Sequence, residues 1–147
     1  MEQKQEHKYR ILMFVEDEPD LIELYRIAFE SAGFLIQGIG TGEEAVEVMD
    51  KLIKEEIEAP SVVILDILLP GISGMDVLRE IRKHEKFNKI PVIMFTNYSS
   101  DDIREEVKNT KNAEYVLKMD ATPDQLVEIA IKKIEEAKKI YNGEKSA

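Results

Sequence analysis

Val62-Val63-Ile64-Leu65-Asp66-Ile67-Leu68-Leu69-Pro70-Gly71-Ile72-Ser73-Gly74 carries four apolar residues into a single acid and closes on Pro, Gly, Ser and Gly. Four aliphatic residues without polar alternation read as a strand buried on both faces, the habit of a parallel sheet. A carboxylate directly at the end of such a strand stands at the carboxyl edge of the sheet, where α/β folds place their ligands. Pro70 and Gly71 favour a turn, and Ser73 can cap a helix that buries Val77, Leu78 and Ile81.

Working outward, residues 11–15 and 92–95 are apolar runs of the same kind. Residues 34–39, interrupted by Gln37 and Gly38, and the short run 115–117 suit strands nearer an edge. Helical spacing fills the gaps. Pro19 opens a helix carrying Leu21, Leu24, Tyr25 and Ala28 that ends before Gly33. Thr41-Gly42-Glu43-Glu44 has the pattern of a capping box ahead of Ala45, Val48, Met49 and Leu52. Ser99 or Ser100 can cap a fourth helix with only Ile103 and Val107 as an apolar stripe, which makes it the least firmly packed. Thr122-Pro123-Asp124-Gln125 starts a fifth, with Leu126, Ala130, Ile134, Ala137 and Tyr141 at helical spacing. Five strand–helix units in alternation predict a doubly wound α/β domain with right-handed crossovers.

The chain of 147 residues is long enough for one sizeable core and too short for two ordinary domains. Residues 1–8 read as a flexible tail, 9–141 as the folded domain and 142–147 as a frayed end, leaving no effector domain. A net charge of −10 opposes binding to nucleic acid or anionic lipid, so protein partners are expected. No Cys is present, which excludes disulfides, thiolate zinc sites and a thiol nucleophile. The polar N-terminus lacks the apolar core of a signal peptide and no apolar run approaches a membrane span, so the cytoplasm is the expected location.

Two strands end in acid: the run 11–15 is followed by Glu16-Asp17-Glu18, and Val62–Leu65 by Asp66. If they are neighbours, Asp17 and Asp66 face each other. Two carboxylates ~4 Å apart repel by roughly 4 kcal/mol at an effective dielectric constant of 20. A hard cation with oxygen ligands offsets that repulsion, and Mg²⁺ with one or two carboxylates keeps positions open for phosphate oxygens. The chemistry that follows is attack by one carboxylate on phosphorus. Thr96 and Lys118 end the last two strands, where a hydroxyl and an ammonium can reach the other oxygens of the transferred group.

The acid pair in VEDEP, the stretch VVILDILLPGISG, the Thr of MFTN and the Lys of YVLKMD occur in an order that resembles the receiver domain of two-component response regulators. The resemblance runs from Tyr9 to about Tyr141 and includes the 30 residues separating Asp66 from Thr96. It implies a flavodoxin-like sheet of strand order 2-1-3-4-5 and a signalling switch that is not an enzyme beyond its own phosphoryl transfer and dephosphorylation. Asp66 would be the phosphoryl acceptor. Asp17, Asp66 and the Leu68 carbonyl would hold Mg²⁺, with Glu16 acting through water. Thr96 and Lys118 would bind phosphoryl oxygens, and Tyr115 matches the aromatic whose rotamer reports the switch. The implied partners are a histidine kinase or phosphotransfer protein, an unspecified downstream protein reading the surface of the fourth helix, fifth strand and fifth helix, and a second copy in a phosphorylation-dependent dimer.

Three residues depart from that pattern. Met119 follows Lys118 where the family usually has a cis-proline; a cis bond before a non-proline residue costs about 2.5–4 kcal/mol, so the loop is either trans or strained. Asn97 stands where a small residue is common. Leu68 offers no amide or acid to orient water, and slow self-dephosphorylation is expected. The same Leu68 weighs against a rival reading, a Mg²⁺ phosphohydrolase with a second acid two residues beyond its nucleophile. A degenerate receiver that only binds is opposed by the intact Asp17, Asp66, Thr96 and Lys118.

Overall fold

The computed structural model describes the backbone of residues 9–146 and the side chains of residues 9–141. The expected tail over residues 1–8 lies outside the described residues, as do the side chains of the expected frayed end. Strands and helices alternate as β1 (Arg10–Val15), α1 (Pro19–Ser31), β2 (Phe34–Ile39), α2 (Gly42–Ile53), β3 (Val62–Leu65), α3 (Gly74–Arg82), β4 (Val92–Thr96), α4 (Asp101–Lys108), β5 (Ala113–Leu117) and α5 (Pro123–Ser146). The sheet is parallel throughout, in the order β2-β1-β3-β4-β5. The two weaker runs form the two edges, as their interrupted or short apolar patterns lead one to expect.

The pleat divides the apolar runs between two layers. Leu12, Phe14, Val62, Ile64, Ile93 and Phe95 pack on one face with Tyr25 and Phe29 of α1 and Leu126, Ala130 and Ile134 of α5. Met13, Val15, Val63, Leu65, Val92 and Met94 pack on the other with Val48 and Met49 of α2 and Val77, Leu78 and Ile81 of α3. Helices on both faces explain why β1, β3 and β4 lack polar alternation. Each fully buried phenylalanine or leucine here contributes ~1.5–3 kcal/mol of transfer free energy.

Local chemistry starts the helices where it was expected to. Thr41 Oγ1 accepts from Glu44 N, and the Glu44 carboxylate accepts from Gly40 N, one residue before the cap. Ser73 caps α3 through Asp76 N, and Ser100, rather than Ser99, caps α4 through Ile103 N. The box at α5 is reciprocal: Gln125 N donates to Thr122 Oγ1 and Thr122 N to Gln125 Oε1. Acids occupy the first turns of all five helices (Asp20; Glu43 and Glu44; Asp76; Asp101 and Asp102; Asp124), complementing the helix dipoles. Because every α-helix starts at the carboxyl edge of the sheet, that edge is acidic. α4 buries only Val107 fully and is held from outside by Arg79 of α3, whose guanidinium bonds Glu106 at 2.7 and 2.8 Å.

At the opposite edge Arg82 donates to four main-chain carbonyls, those of Lys111, Phe87, Ile90 and Asn112, at 2.7–2.9 Å. It ties the loop before β4 to the loop before β5.

Candidate functional site

Stepping two residues on from Phe14, Ile64 and Val116, which share one face of the sheet, leads to Glu16, Asp66 and Lys118 just past their strands. The pleat thus aims an ammonium between two acids. Lys118 Nζ lies 2.8 Å from Glu16 Oε1 and 2.9 Å from Asp66 Oδ2. Glu16 is 1% exposed and Asp66 6%, so both acids are shielded from bulk solvent. Each acid has a second donor: Leu68 N bonds Asp66 Oδ1 at 3.2 Å, and Glu18 N bonds Glu16 Oε2 at 3.3 Å.

Burial pushes the Glu16 carboxyl above the usual range, and the Lys118 bond and charge only partly oppose it. Burial is also the largest influence on Lys118 and would depress it, yet the bonds and charges of Glu16 and Asp66 together leave it raised. The raised Lys118 value gives a stabilising contribution complete below the ordinary lysine range and lost as pH rises through the folded-state value. The raised Glu16 value means that stability is gained on acidification, as pH falls through its folded-state value.

The acceptor's backbone is fixed by close approach of α3. Gly74 N donates to Ile67 O at 2.9 Å, and a Cβ on Gly74 would lie 2.0 Å from the Asp66 carbonyl oxygen. Glu43 of α2 holds the outer part of the same loop, accepting from Ile72 N at 3.2 Å. Gly71, at φ +75°, provides the turn beside it.

Thr96 and Tyr115 continue the other face of the sheet, Thr96 two residues beyond Met94, which pairs with Tyr115. One residue joins them. Tyr98 N donates to Thr96 Oγ1 at 3.1 Å, and the Tyr115 hydroxyl donates to the Tyr98 carbonyl. The Arg104 guanidinium of α4 lies 4.5 Å from the Tyr115 ring centroid, a cation–π contact linking this pair to the helix.

Glu16, exposed Asp17 and Asp66 each offer a carboxylate oxygen within 4.8 Å of the others. Three carboxylates against one lysine leave excess negative charge, and the donors are all oxygen. That set fits a hard divalent cation with water in its remaining positions. The Lys118–Met119 peptide is trans, since no described peptide bond is cis, and residues Lys118–Asp120 form a single 3₁₀ turn.

The family profile of the response regulator receiver domain matches residues 12–131. The chain belongs to this family. The receiver is 32% identical over 116 residues to the phosphate regulon transcriptional regulatory protein PhoB of Rhizobium meliloti, covering 78% of this chain and 48% of that protein. It is 35% identical over 89 residues to the DNA-binding response regulator MtrA of Mycolicibacterium smegmatis, covering 60% of this chain and 35% of that one. It therefore spans about half or less of the length of these relatives. Among solved structures, the CheY-like receiver domain protein of Methanospirillum hungatei superposes with a TM-score of 0.74 at 23% identity, covering 90% of this chain and 98% of that one. The matched family is that of the receiver domains of response regulators, proteins of phosphorylation-dependent signalling. No helix among the described residues is long and apolar enough to cross a membrane.

The receiver thus brings Glu16, Asp17, Asp66 and Lys118 together, with Thr96 at the adjoining strand end and Tyr115 reaching it through Tyr98. Sequence reasoning missed Tyr98, the Glu43 bond to the acceptor loop, and a bond from Met119 N to Asn97 Oδ1. All three depend on loop paths, and no spacing rule signals them.

Proposed function

We propose that Asp66 accepts a phosphoryl group from a histidine kinase, a phosphotransfer protein or a small acyl phosphate, and that the altered α4–β5–α5 surface is read by a protein partner. The observation that carries this reading is the convergence of Lys118 on Asp66 and Glu16, with Asp17 completing an all-oxygen cluster. An Asp66 carboxylate oxygen bonds to phosphorus as the donor's P–N or P–O bond breaks, and the bonding electrons leave with the donor group. Lys118, already at hydrogen-bond distance from Asp66, and Thr96 are the donors for the new phosphoryl oxygens. Mg²⁺, held by Asp17, Asp66 and the Leu68 carbonyl with Glu16 reached through water, would screen the charge of the attacked group.

Thr96 moving toward the phosphoryl group gives up its bond from Tyr98 N, and the Tyr98 carbonyl and the Tyr115 hydroxyl shift with it. Because Arg104 stacks on Tyr115 and α4 is lightly buried, this rearrangement biases the α4 surface at small energetic cost. Leu68, 60% exposed, supplies no polar group to activate water, in keeping with slow self-dephosphorylation.

Amide shift mapping with Mg²⁺ and the phosphoryl mimic beryllofluoride tests the switch. Changes are expected at residues 96–98, at Tyr115 and along α4, in addition to those around Asp66. Changes confined to the acid cluster would show that the surface does not respond.

A further inference from the structure

The ladder between β4 and β5 ends at the pair Thr96 and Leu117. The next residue of β5's chain is Lys118, whose ammonium reaches the acceptor, and the one after it, Met119, has its side chain in solvent at 76% exposure. Nothing in the packing of Met119 holds the start of this loop. Its main-chain N–H, however, donates to Asn97 Oδ1 at 3.0 Å. Asn97 directly follows Thr96, so its side-chain amide supplies one more rung where the two backbones have stopped pairing. Lys118 is therefore held on both sides by adjacent residues of β4's end: Leu117 before it by the rung to Thr96, and Met119 after it by Asn97.

We propose that Asn97 is a positioning residue for Lys118, acting through the Met119 N–H. This inference rests on the reading of Asp66 as a phosphoryl acceptor and extends it. The bond joins the two loops that carry the two donors for phosphoryl oxygens, Thr96 and Lys118, and so holds their separation when the group arrives. The property that matters at residue 97 is an acceptor oxygen, not side-chain bulk. Were bulk the property that matters, a side chain of equal size would replace Asn97 without loss.

The test uses the whole chain and three substitutions. Asn97→Leu keeps the size and removes the acceptor; Asn97→Asp keeps an acceptor oxygen; Met119→Pro removes the donor. Exchange of the Met119 amide is expected to quicken several-fold in Asn97→Leu and to return toward the wild-type rate in Asn97→Asp. With saturating Mg²⁺, beryllofluoride affinity is expected to fall about fivefold in Asn97→Leu, the effect of one solvent-accessible hydrogen bond. In the Met119→Pro background the same Asn97→Leu change is expected to have no further effect on affinity, because the pair acts as one unit. An unchanged affinity in Asn97→Leu, additive effects of the two changes, or Asn97→Asp exchanging as fast as Asn97→Leu would each overturn the inference while leaving the proposed function intact. A wild-type protein that binds no beryllofluoride would overturn both.

Discussion

Gly74→Ala is expected to lower stability by about 3 kcal/mol, the upper part of the usual range for overpacking, and to slow phosphoryl uptake on the order of 10²-fold. The three atoms nearest the added Cβ would all be main chain: the Asp66 carbonyl oxygen at 2.0 Å, its carbon at 2.8 Å and Ile67 Cα at 2.9 Å. None of these is the movable end of a side chain. Either α3 lifts from the sheet, or the acceptor's own peptide moves and takes the Asp66 carboxylate with it. For a domain of this size the thermal midpoint should drop by roughly 6–12 °C. Gly40→Ala, where a Cβ meets nothing within 4 Å, serves as the control and should leave both readings unchanged. Equal behaviour of the two variants would show that α3 does not fix the acceptor.

Lys118→Met is the second large effect. Removing one partner of a buried ion pair leaves charge uncompensated, a loss of about 3 kcal/mol or more at neutral pH. Here two acids lose the same ammonium, with Lys118 at 15% side-chain exposure, Glu16 at 1% and Asp66 at 8%. Burial already raises Glu16, and Lys118 is the largest influence opposing it, so the variant's Glu16 should rise further. A carboxyl raised on folding takes up a proton as the chain folds, so the variant gains stability as pH falls through its folded-state value. Wild-type Glu16, raised less because Lys118 opposes its burial, gains less over the same fall in pH. The difference between the two proteins, read from denaturant midpoints across pH, should therefore narrow toward acid pH and also on adding Mg²⁺. A gap independent of both would show that Lys118 does not balance these acids.

The buried strands were legible because burial on both faces removes polar alternation from Val62–Leu65 and its neighbours. β5 was read short, since Ala113 and Glu114 are half-buried and mixed in character. The helix starts were legible because a cap is chemistry between residues three apart, as at Thr41, Ser73 and Thr122. Only the structure could choose Ser100 over Ser99. At the site, strand ends located Asp66 and the Glu16–Asp17 pair, and the family resemblance ordered the roles. Bonds crossing between loops were not legible: Asn97 to Met119, Tyr98 between Thr96 and Tyr115, and Arg82 on four carbonyls. Each is set by where irregular backbone comes to rest.

The central claim is that Asp66 takes up a phosphoryl group with a divalent cation. Incubation with acetyl phosphate followed by intact-mass measurement tests it most directly. With Mg²⁺ the chain should gain the mass of one phosphoryl group, and the gain should vanish on chelation and in Asp66→Asn. No gain at saturating donor and Mg²⁺, or an undiminished gain in Asp66→Asn, would contradict the account.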